Sequence, residues 1–249
     1  MLRLVFSDAR TWRYMVASIE KILDEAVFIA NEEGLSLRAL DTSHVVMVDL
    51  FYPNSAFDEY DIGDSEVTFG VSFDALSKVL RRSRKEDRLE LGIDGSHITI
   101  RFLGRGVRTF KIPQIQLTHE RLPEPKIQFT VTAKMMSTVF REAIRDLEAM
   151  ADIVTLKADD EYQRLLLTGT SDIGSVEIEL SLERQSLLDL EVESPDTASY
   201  TLEYYTYMLQ AAQAADLTTI RYSMDAPVRV DLEYQAGGRL TFYVSPRME

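Results

Sequence analysis

Hydrophobic and polar residues alternate along most of this chain with the two-residue period of β-strands, and four stretches change to the spacing of an amphipathic helix. The helical spacing covers 9–23, 73–85, 133–147 and 202–215, and Asp8 stands before the first stretch as an N-cap. Alternating segments bounded by Gly-rich and acidic turns predict strands at 2–7, 26–31, 34–40, 44–53, 66–72, 88–93, 97–103, 107–112, 127–132, 152–158, 164–170, 175–182, 218–224, 227–234 and 239–245. The pattern predicts an α+β protein with antiparallel sheets.

The elements repeat halfway along the chain. The turns near 33 and 160 and the helix starts near 9 and 133, or 73 and 202, are offset by 124 to 129 residues. Between the copies, residues 114–126 contain two prolines and no period, which indicates an extended connector. We therefore predict two similar domains, 1–113 and 127–249, each built from two strand–helix–strands modules.

Composition excludes several classes of function. The 249 residues include no Cys and three separated His, so a thiolate nucleophile, a disulfide scaffold and a multi-histidine metal site are not expected. No nucleophile elbow, Walker A loop or dinucleotide fingerprint occurs. No apolar run approaches the roughly 18 residues that span a bilayer. We predict a protein without catalysis, cofactor, metal or membrane contact.

The charge is distributed unevenly. The chain carries −14 overall, but the four helical windows sum to +6 over 57 residues, which leaves −20 on the remainder. Ordinary solvated helix faces would explain any one basic cluster, whereas three such helices in an acidic chain favour a basic surface. The fourth helix presents Glu203, Tyr207, Gln210 and Ala214 instead. The basic residues opposite the apolar faces are Arg10, Arg13, Lys21, Lys78, Arg81, Arg82, Lys85, Lys134, Arg141 and Arg145.

Residues 34–50, GLSLRALDTSHVVMVDL, resemble the signature segment of sliding clamps of the proliferating cell nuclear antigen family. SKVLRR, LPEP, DAPVRVDLEY and FYVSP extend the resemblance over the whole chain, while YDIGDSEVTFG departs from a basic motif of the family. The resemblance implies the DNA clamp fold, with four helices on the inner face, sheets outside, and three subunits closed into a ring around duplex DNA. Such a subunit is a processivity factor that a clamp loader places on DNA and that tethers DNA polymerase, flap endonuclease and DNA ligase.

The resemblance also implies three sets of site residues. The ten basic residues named above would face DNA. A groove for short client motifs would use Leu40, His44, Val45, Leu122, Pro123, Pro227, Tyr243, Val244, Ser245 and Pro246. Subunits would join through Thr109, Phe110 and Lys111 on one edge and Val176, Glu177 and Ile178 on the other. The archaeal character of the match implies a cytoplasmic protein, or a nuclear one in a eukaryote.

Two alternatives stay open at this level. The chain could be one subunit of a heteromeric or checkpoint-type clamp, so that a heterotrimer with paralogues competes with a homotrimer. From another class, an acidic protein-interaction or DNA-mimic module would never encircle DNA and would tolerate loss of the basic residues.

Overall fold

The computed structural model describes residues 2–63, 65–118, 121–161 and 163–247, and within them the chain forms four α-helices and 18 strands. The first half contains α1 (Ala9–Ile19), α2 (Phe73–Leu80) and strands β1 (Arg3–Phe6), β2 (Glu25–Ala30), β3 (Gly34–Leu40), β4 (Val46–Pro53), β5 (Glu59–Asp61), β6 (Val67–Ser72), β7 (Arg88–Asp94), β8 (His97–Leu103) and β9 (Val107–Pro113). The second half contains α3 (Ser137–Glu148), α4 (Leu202–Ala212) and strands β10 (Val131–Met136), β11 (Ile153–Asp159), β12 (Arg164–Ser171), β13 (Gly174–Ser181), β14 (Asp189–Val192), β15 (Thr197–Thr201), β16 (Leu217–Tyr222), β17 (Val228–Glu233) and β18 (Arg239–Val244).

The two halves have the same order of elements, which confirms the predicted α+β repeat. In each half a strand and a helix are followed by five strands, a second helix and three strands. The sheet order β5-β1-β7-β8-β9 in the first half matches β14-β10-β16-β17-β18 in the second. Likewise β4-β3-β2-β6 matches β13-β12-β11-β15, and every pairing is antiparallel.

One continuous sheet joins the halves. Strand β18 pairs with β4 over six residues, from Arg239 opposite Phe51 to Val244 opposite Val46, and so creates a nine-stranded sheet. The alternate pairs Phe242–Val48 and Val244–Val46 are fully buried. We call this contact, together with the helices behind it, the internal joint.

Each helix buries one apolar stripe against the sheets. In α1 the stripe is Trp12, Met15, Val16 and Ile19, and the Asp8 side chain caps the helix by accepting the Arg10 N–H at 2.9 Å. This confirms the predicted cap and core face. The cap satisfies one of the four N–H groups that a helix leaves without a partner at its first turn.

Several predicted boundaries are wrong. All four helices end earlier or begin later than predicted: α2 ends at Leu80 and not at 85, and α3 begins at Ser137 and not at 133. Residues Val131–Met136 instead continue as strand β10, because Val131, Ala133 and Met135 alternate into the core and the segment pairs with β16. The sequence does not show this alternation clearly, because residues 133 and 136 also have the three-residue spacing of a helix face. Strands β5, β14 and β15 were not predicted, and residues 127–130, predicted to begin a strand, lie before β10 and in no strand.

The outer edges of the sheets differ in how they are covered. The Ile115 N–H bonds to the Gly70 carbonyl at 3.0 Å along β6, and the Arg247 N–H bonds to the Ser199 carbonyl at 2.9 Å along β15. A side chain at Gly70 would meet the Ile115 carbonyl, so glycine permits this close approach. Within the described residues the long edges that stay uncovered are β9 and β13.

Candidate functional site

The four helices form one row on one side of the sheets. Helix α1 packs between α2 and α4, and α3 packs against the far side of α4. The Ser77 hydroxyl donates to the Glu20 carboxylate at 2.6 Å between α2 and the end of α1. The row therefore runs α2, α1, α4, α3 and turns its polar side away from the sheets.

Ion pairs divide the ten predicted basic residues. Arg10 is paired with Asp8 at 3.0 Å, Lys78 with Asp74 at 2.7 Å and Arg81 with Glu20 at 2.8 Å. Because each of these cations already has a carboxylate partner, its net attraction for phosphate is reduced. Within the described chain, six of the ten make no ion pair: Arg13, Lys21, Arg82, Lys85, Arg141 and Arg145.

Lys134 does not lie on a helix, and the assignment of this residue to the basic helical face is corrected. It sits on β10 between the buried residues Ala133 and Met135, so its side chain leaves the sheet on the face opposite the core. There its ammonium lies 3.5 Å from the Glu233 carboxylate. Lys21, Arg82 and Lys85 also lie beyond the helix ends, in the turns that follow α1 and α2.

The outer side of α4 is neutral to acidic. The Tyr207 hydroxyl donates to the Glu203 carboxylate, and this hydrogen bond, helped by partial burial, raises the pKa of Tyr207 to about 12. Tyr204 meets the Tyr207 ring edge to face at 6.2 Å. The unpaired cations of the row therefore lie on α1, on α3 and in the turns after α1 and α2, and most of α4 is uncharged.

A row of side chains crosses the outer face of the nine-stranded sheet. The pairing register places Leu40, Met47, Tyr243 and Arg229 side by side on β3, β4, β18 and β17. The Arg229 guanidinium lies 5.5 Å from the centre of the Tyr243 ring. Met47 was missed in the prediction, although its alternation with the buried Val46 and Val48 is the signal that would have identified it.

Two arginines hold the central connector over this row. Arg38 donates to the Leu122 carbonyl at 3.2 Å and to the Asp49 carboxylate at 2.7 Å. Arg229 lies 3.7 Å from the Glu124 carboxylate. These contacts leave Leu122 half-buried and Pro123 exposed, while His119 and Glu120 lie outside the described residues.

The other residues predicted for the groove divide by exposure. Leu40, Val45, Pro227, Ser245 and Pro246 are half-buried, and the Ser245 N–H donates to the Val45 carbonyl at 2.9 Å. His44 is exposed in a turn with positive φ. Val244 is different, because it pairs with Val46 on the core face and is fully buried. Its side chain cannot line an outer groove, which corrects that part of the prediction.

The turn that carries His44 is organised by Asp41. The Asp41 carboxylate accepts the Val45 and Val46 N–H groups, both at 2.7 Å, as well as the Ser43 hydroxyl and N–H. Burial alone would raise the pKa of Asp41, but these hydrogen bonds outweigh it and hold the pKa below its usual range. The charged carboxylate is therefore the form that the folded turn prefers.

The Asp41→Asn variant should loosen this turn at pH 7 and lose its difference from the parent in acid. A lowered folded-state pKa contributes stability above the ordinary value of about 4, and that contribution disappears as pH falls through the lowered value. We expect faster amide exchange at Val45 and Val46, by about tenfold at pH 7, for a loss of roughly 1–2 kcal/mol. Asp61→Asn is the control, since the Asp61 carboxylate accepts one bond from the described residues, from the Gly63 N–H at 2.9 Å. Equal exchange in parent and D41N at pH 7 would contradict the assignment.

The two uncovered edges carry the predicted subunit-contact residues. On β9 the Phe110 side chain is half-buried and lies 5.8 Å from the Phe102 ring, while Thr109 and Lys111 are exposed. On β13 Val176 and Ile178 are half-buried against the core and Glu177 is exposed. Two large apolar side chains that the prediction missed lie at the ends of these edges, Val107 at 67% exposure and Ile173 at 77%.

Among the described residues, no helix is long and apolar enough to cross a membrane. In the same part of the chain, no group of three or more His, Cys, Asp and Glu side chains is arranged to hold a metal ion.

A repeated two-half unit with a row of helices behind antiparallel sheets defines a clamp-type protein, and comparison with known proteins agrees. Family models described as the N-terminal and C-terminal domains of proliferating cell nuclear antigen match residues 1–120 and 123–247. The chain is 63% identical to DNA polymerase sliding clamp 3 of Aeropyrum pernix over 247 residues, or 99% of this chain and 98% of that relative. It is 38% identical to the DNA polymerase sliding clamp of Thermofilum pendens over the full length of both.

Solved structures agree as well. The crystal structure of proliferating cell nuclear antigen from Thermococcus kodakaraensis has a TM-score of 0.92 at 29% identity and covers 99% of this chain and 100% of that one. A chain of a complex of two such antigens, numbered 2 and 3, from Sulfolobus tokodaii has a TM-score of 0.93 at 30% identity, with the same coverage. The chain belongs to the proliferating cell nuclear antigen family of DNA polymerase sliding clamps.

Proposed function

We propose that this chain is one subunit of a ring-shaped sliding clamp that encircles duplex DNA and tethers DNA polymerase to it. The observation that carries the proposal is the equivalence between the internal joint and the uncovered edges. Strand β9 holds the place in the first half that β18 holds in the second, and β13 holds the place of β4. A head-to-tail contact of β9 with β13 of the next copy therefore repeats the internal joint, and such contacts can close a ring.

The internal register supplies the register proposed between copies. Phe110 lies opposite Ile100 as Phe242 lies opposite Val230, and Val176 lies opposite Gly169 as Val48 lies opposite Ala39. The buried pair Phe242–Val48 thus becomes Phe110 against Val176 of the next copy. At the neighbouring position, on the outer face of the sheet, Thr109 lies opposite Glu177 of the next copy. We call this contact between copies the outer joint.

The helices suit the inside of such a ring. Three copies, the number that the family resemblance implies, would bring the basic residues of α1, of α3 and of the turns after α1 and α2 around the duplex. A ring is retained by topology, so weak and screened contacts to phosphates are sufficient and leave it able to slide. We assign to DNA the cations that have no carboxylate partner in the described chain. Among them, Arg13 and Arg141 lie at equivalent places on α1 and α3.

The groove on the outer face fits a short client peptide. The half-buried Leu40 and Met47 provide a mostly apolar floor beside the buried ring of Tyr243, and the connector at Leu122 and Pro123 provides a wall that Arg38 holds in place. Apolar and aromatic side chains of a client would enter between them. We propose that polymerase, flap endonuclease, ligase and clamp loader compete for this groove, with the two domains dividing at the connector 114–126.

The proposed role is non-catalytic, and the archaeal origin of the relatives supports a location in the cytoplasm with the chromosome. A heteromeric ring is a second candidate, favoured by one finding: a structural relative is a chain of a complex between two different clamp proteins. In that case the same edges form the subunit contacts and the same helices face DNA, but a paralogue provides the neighbouring subunit.

Topological retention on DNA tests the proposal. Labelled protein placed by a clamp loader on a nicked circular plasmid should remain through a salt wash and leave within minutes once the plasmid is cut. Retention on linear DNA equal to that on circles would contradict an encircling ring. Loss of the labelled protein from both circular and linear DNA at all salt concentrations would favour a module that binds proteins and not DNA.

Charge reversal tests the DNA-facing residues in the same assay. The combined variant Arg13→Glu and Arg141→Glu should lower loading and polymerase stimulation at least about fivefold, because repulsion replaces a diffuse attraction. Lys157→Glu is the matched control, since Lys157 is exposed on β11, on the sheet side away from the helices. Equal stimulation by parent and double variant would remove these arginines from the DNA-facing set.

A further inference from the structure

One end of the groove on the outer face carries positive charge, although the chain as a whole is acidic. Three guanidinium groups surround the carboxylate of Asp231, which is buried on β17. Arg221 donates to this carboxylate, the Arg229 Nε lies 3.0 Å from both of its oxygens, and Arg239 lies 4.0 Å away. Because three cations share one carboxylate, net positive charge is left beside the row that crosses the outer face.

Arg229 is held so that one side of its guanidinium group faces the connector. Its Nε faces Asp231, which the Thr241 hydroxyl also fixes by donating to the carboxylate at 2.6 Å. Its Nη1 lies on the connector side, 3.7 Å from the carboxylate of Glu124. The side chain is mostly buried and already ordered, which lowers the cost of pairing it with a ligand.

The hydroxyl of Tyr243 is a second group that suits a ligand. The Tyr243 ring is buried beside the Arg229 guanidinium, and its hydroxyl makes no hydrogen bond with any described residue. Burial raises the pKa of Tyr243, so the hydroxyl keeps its proton at pH 7 and can donate it. Arg229 opposes this shift and Glu124 adds to it, so both charges lie within electrostatic range of the hydroxyl. A buried donor without an acceptor costs free energy that a ligand oxygen would recover.

Glu124 of the connector holds its place beside Arg229 only loosely. The distance of 3.7 Å from its carboxylate to Nη1 is longer than a hydrogen bond, and the Glu124 side chain is 54% exposed. An ion pair this open to solvent contributes little. A carboxylate on a bound peptide can therefore displace Glu124 into solvent and contact Arg229 and Tyr243 together.

The spacing of the strands sets where on a peptide this carboxylate would lie. Arg229 and Tyr243 are directly opposite each other on β17 and β18, and neighbouring strands lie about 4.8 Å apart. One residue of an extended peptide advances about 3.3 Å, so a side chain next to an aromatic anchor in the groove reaches Arg229.

We infer that Arg229 and Tyr243 form a carboxylate subsite at the end of the client groove, and that this chain prefers client peptides with an aspartate or glutamate beside the aromatic anchor. The inference rests on the client groove proposed above and specifies which peptides that groove selects. The Arg229 guanidinium supplies the charge and the Tyr243 hydroxyl supplies a hydrogen bond, and such charge-assisted contacts are stronger than neutral ones. Glu124 is then an internal competitor for the same subsite.

Matched peptides test the subsite by titration calorimetry at low salt. The probes are glutamine-led client peptides with glutamate or glutamine immediately before or after the aromatic residue, all amidated at the C-terminus so that only the side-chain carboxylate differs. At one of the two positions the parent should bind the glutamate peptide about tenfold more tightly than its glutamine counterpart. This preference, and not the affinity alone, separates recognition of a carboxylate from a structural role of Arg229.

Three variants and one control locate the source of the preference. Arg229→Gln should reduce the ratio of the two affinities to about one, and Tyr243→Phe, which removes only the hydroxyl, should reduce it about threefold. Glu124→Gln should raise the ratio, because the competing carboxylate is gone. Arg221→Gln is the matched control, since Arg221 contacts the same Asp231 carboxylate from β16 but lies one strand farther from the groove. It should keep the parental ratio, and the thermal midpoint of each variant reports on the fold.

The outcomes separate the subsite from the groove. Equal binding of glutamate and glutamine peptides by the parent at both positions, or a preference that survives in Arg229→Gln, would overturn the carboxylate subsite and leave the client groove standing. An equal loss of preference in Arg221→Gln would show a diffuse attraction and also overturn the subsite. Failure of the parent to bind any of the peptides would overturn the client groove itself.

Discussion

Replacing Val176 by aspartate should dissociate the assembly into folded monomers. Val176 is half-buried on the core face of β13, where the proposed register sets it against Phe110 of the next copy. An uncompensated buried carboxylate costs about 3–5 kcal/mol, so association should weaken by at least two orders of magnitude. Sedimentation velocity measures the loss, and circular dichroism checks that the fold remains.

The neighbouring residue provides the control. Ser175→Asp places the same charge one position away, on the outer face, and should leave the assembly intact because strand side chains alternate between faces. A mixture of Val176→Asp with Phe110→Asp chains gives a sharper test. The Val176→Asp chain keeps an intact β9 edge and the Phe110→Asp chain keeps an intact β13 edge. The mixture should therefore form a dimer through these two edges, and no ring. Assembly of V176D alone would contradict the proposed joint.

Loss of the outer groove should have the second largest effect. Leu122→Ala together with Tyr243→Ala should weaken binding of a glutamine-led client peptide by about 1–3 kcal/mol for each anchor removed. Met47→Asp should abolish binding, because it puts a charge in the middle of the apolar floor. Titration calorimetry with the peptide gives the affinities, and the thermal midpoint of each variant reports on the fold.

Met136→Ala is the matched control for the groove. Met136 is an exposed methionine, whereas Met47 is half-buried, and it lies at the start of α3, far from the row that crosses the outer face. Its replacement should leave client affinity unchanged. If both the Leu122–Tyr243 variant and the Met47 variant bind the peptide with the affinity of the parent, the client site lies elsewhere.

Much of the fold could be predicted because each half repeats a strong pattern. The stripe of α1, the Asp8 cap and the alternating strands follow from local spacing, and the order of elements follows from their repetition. Prediction from local spacing failed where the same residues fit both the helical period and the strand period. Ala133 fits a helix face with Met136, three residues on, and also a strand face with Met135, two residues on, and the pairing of β10 with β16, nearly 90 residues away, decides between them.

The site was less predictable for a related reason. A basic residue opposite an apolar stripe can be identified from spacing, but its partner cannot when that partner lies on another element. Arg81 is paired with Glu20, and Lys134 with Glu233, through contacts between distant segments. Met47 and Arg229 enter the groove through the register of four strands, which tertiary pairing sets.

The continuous strand pairing between β18 and β4 has a consequence for how such a ring would open. The halves on either side of that contact belong to one chain, so their effective concentration is on the order of millimolar whatever the protein concentration in the cell. Contacts between β9 and β13 of separate chains follow mass action and weaken on dilution. Dilution would therefore release whole two-domain subunits and never single domains. A loader that opens the ring for DNA would do least work by separating one outer joint while the internal joint stays closed.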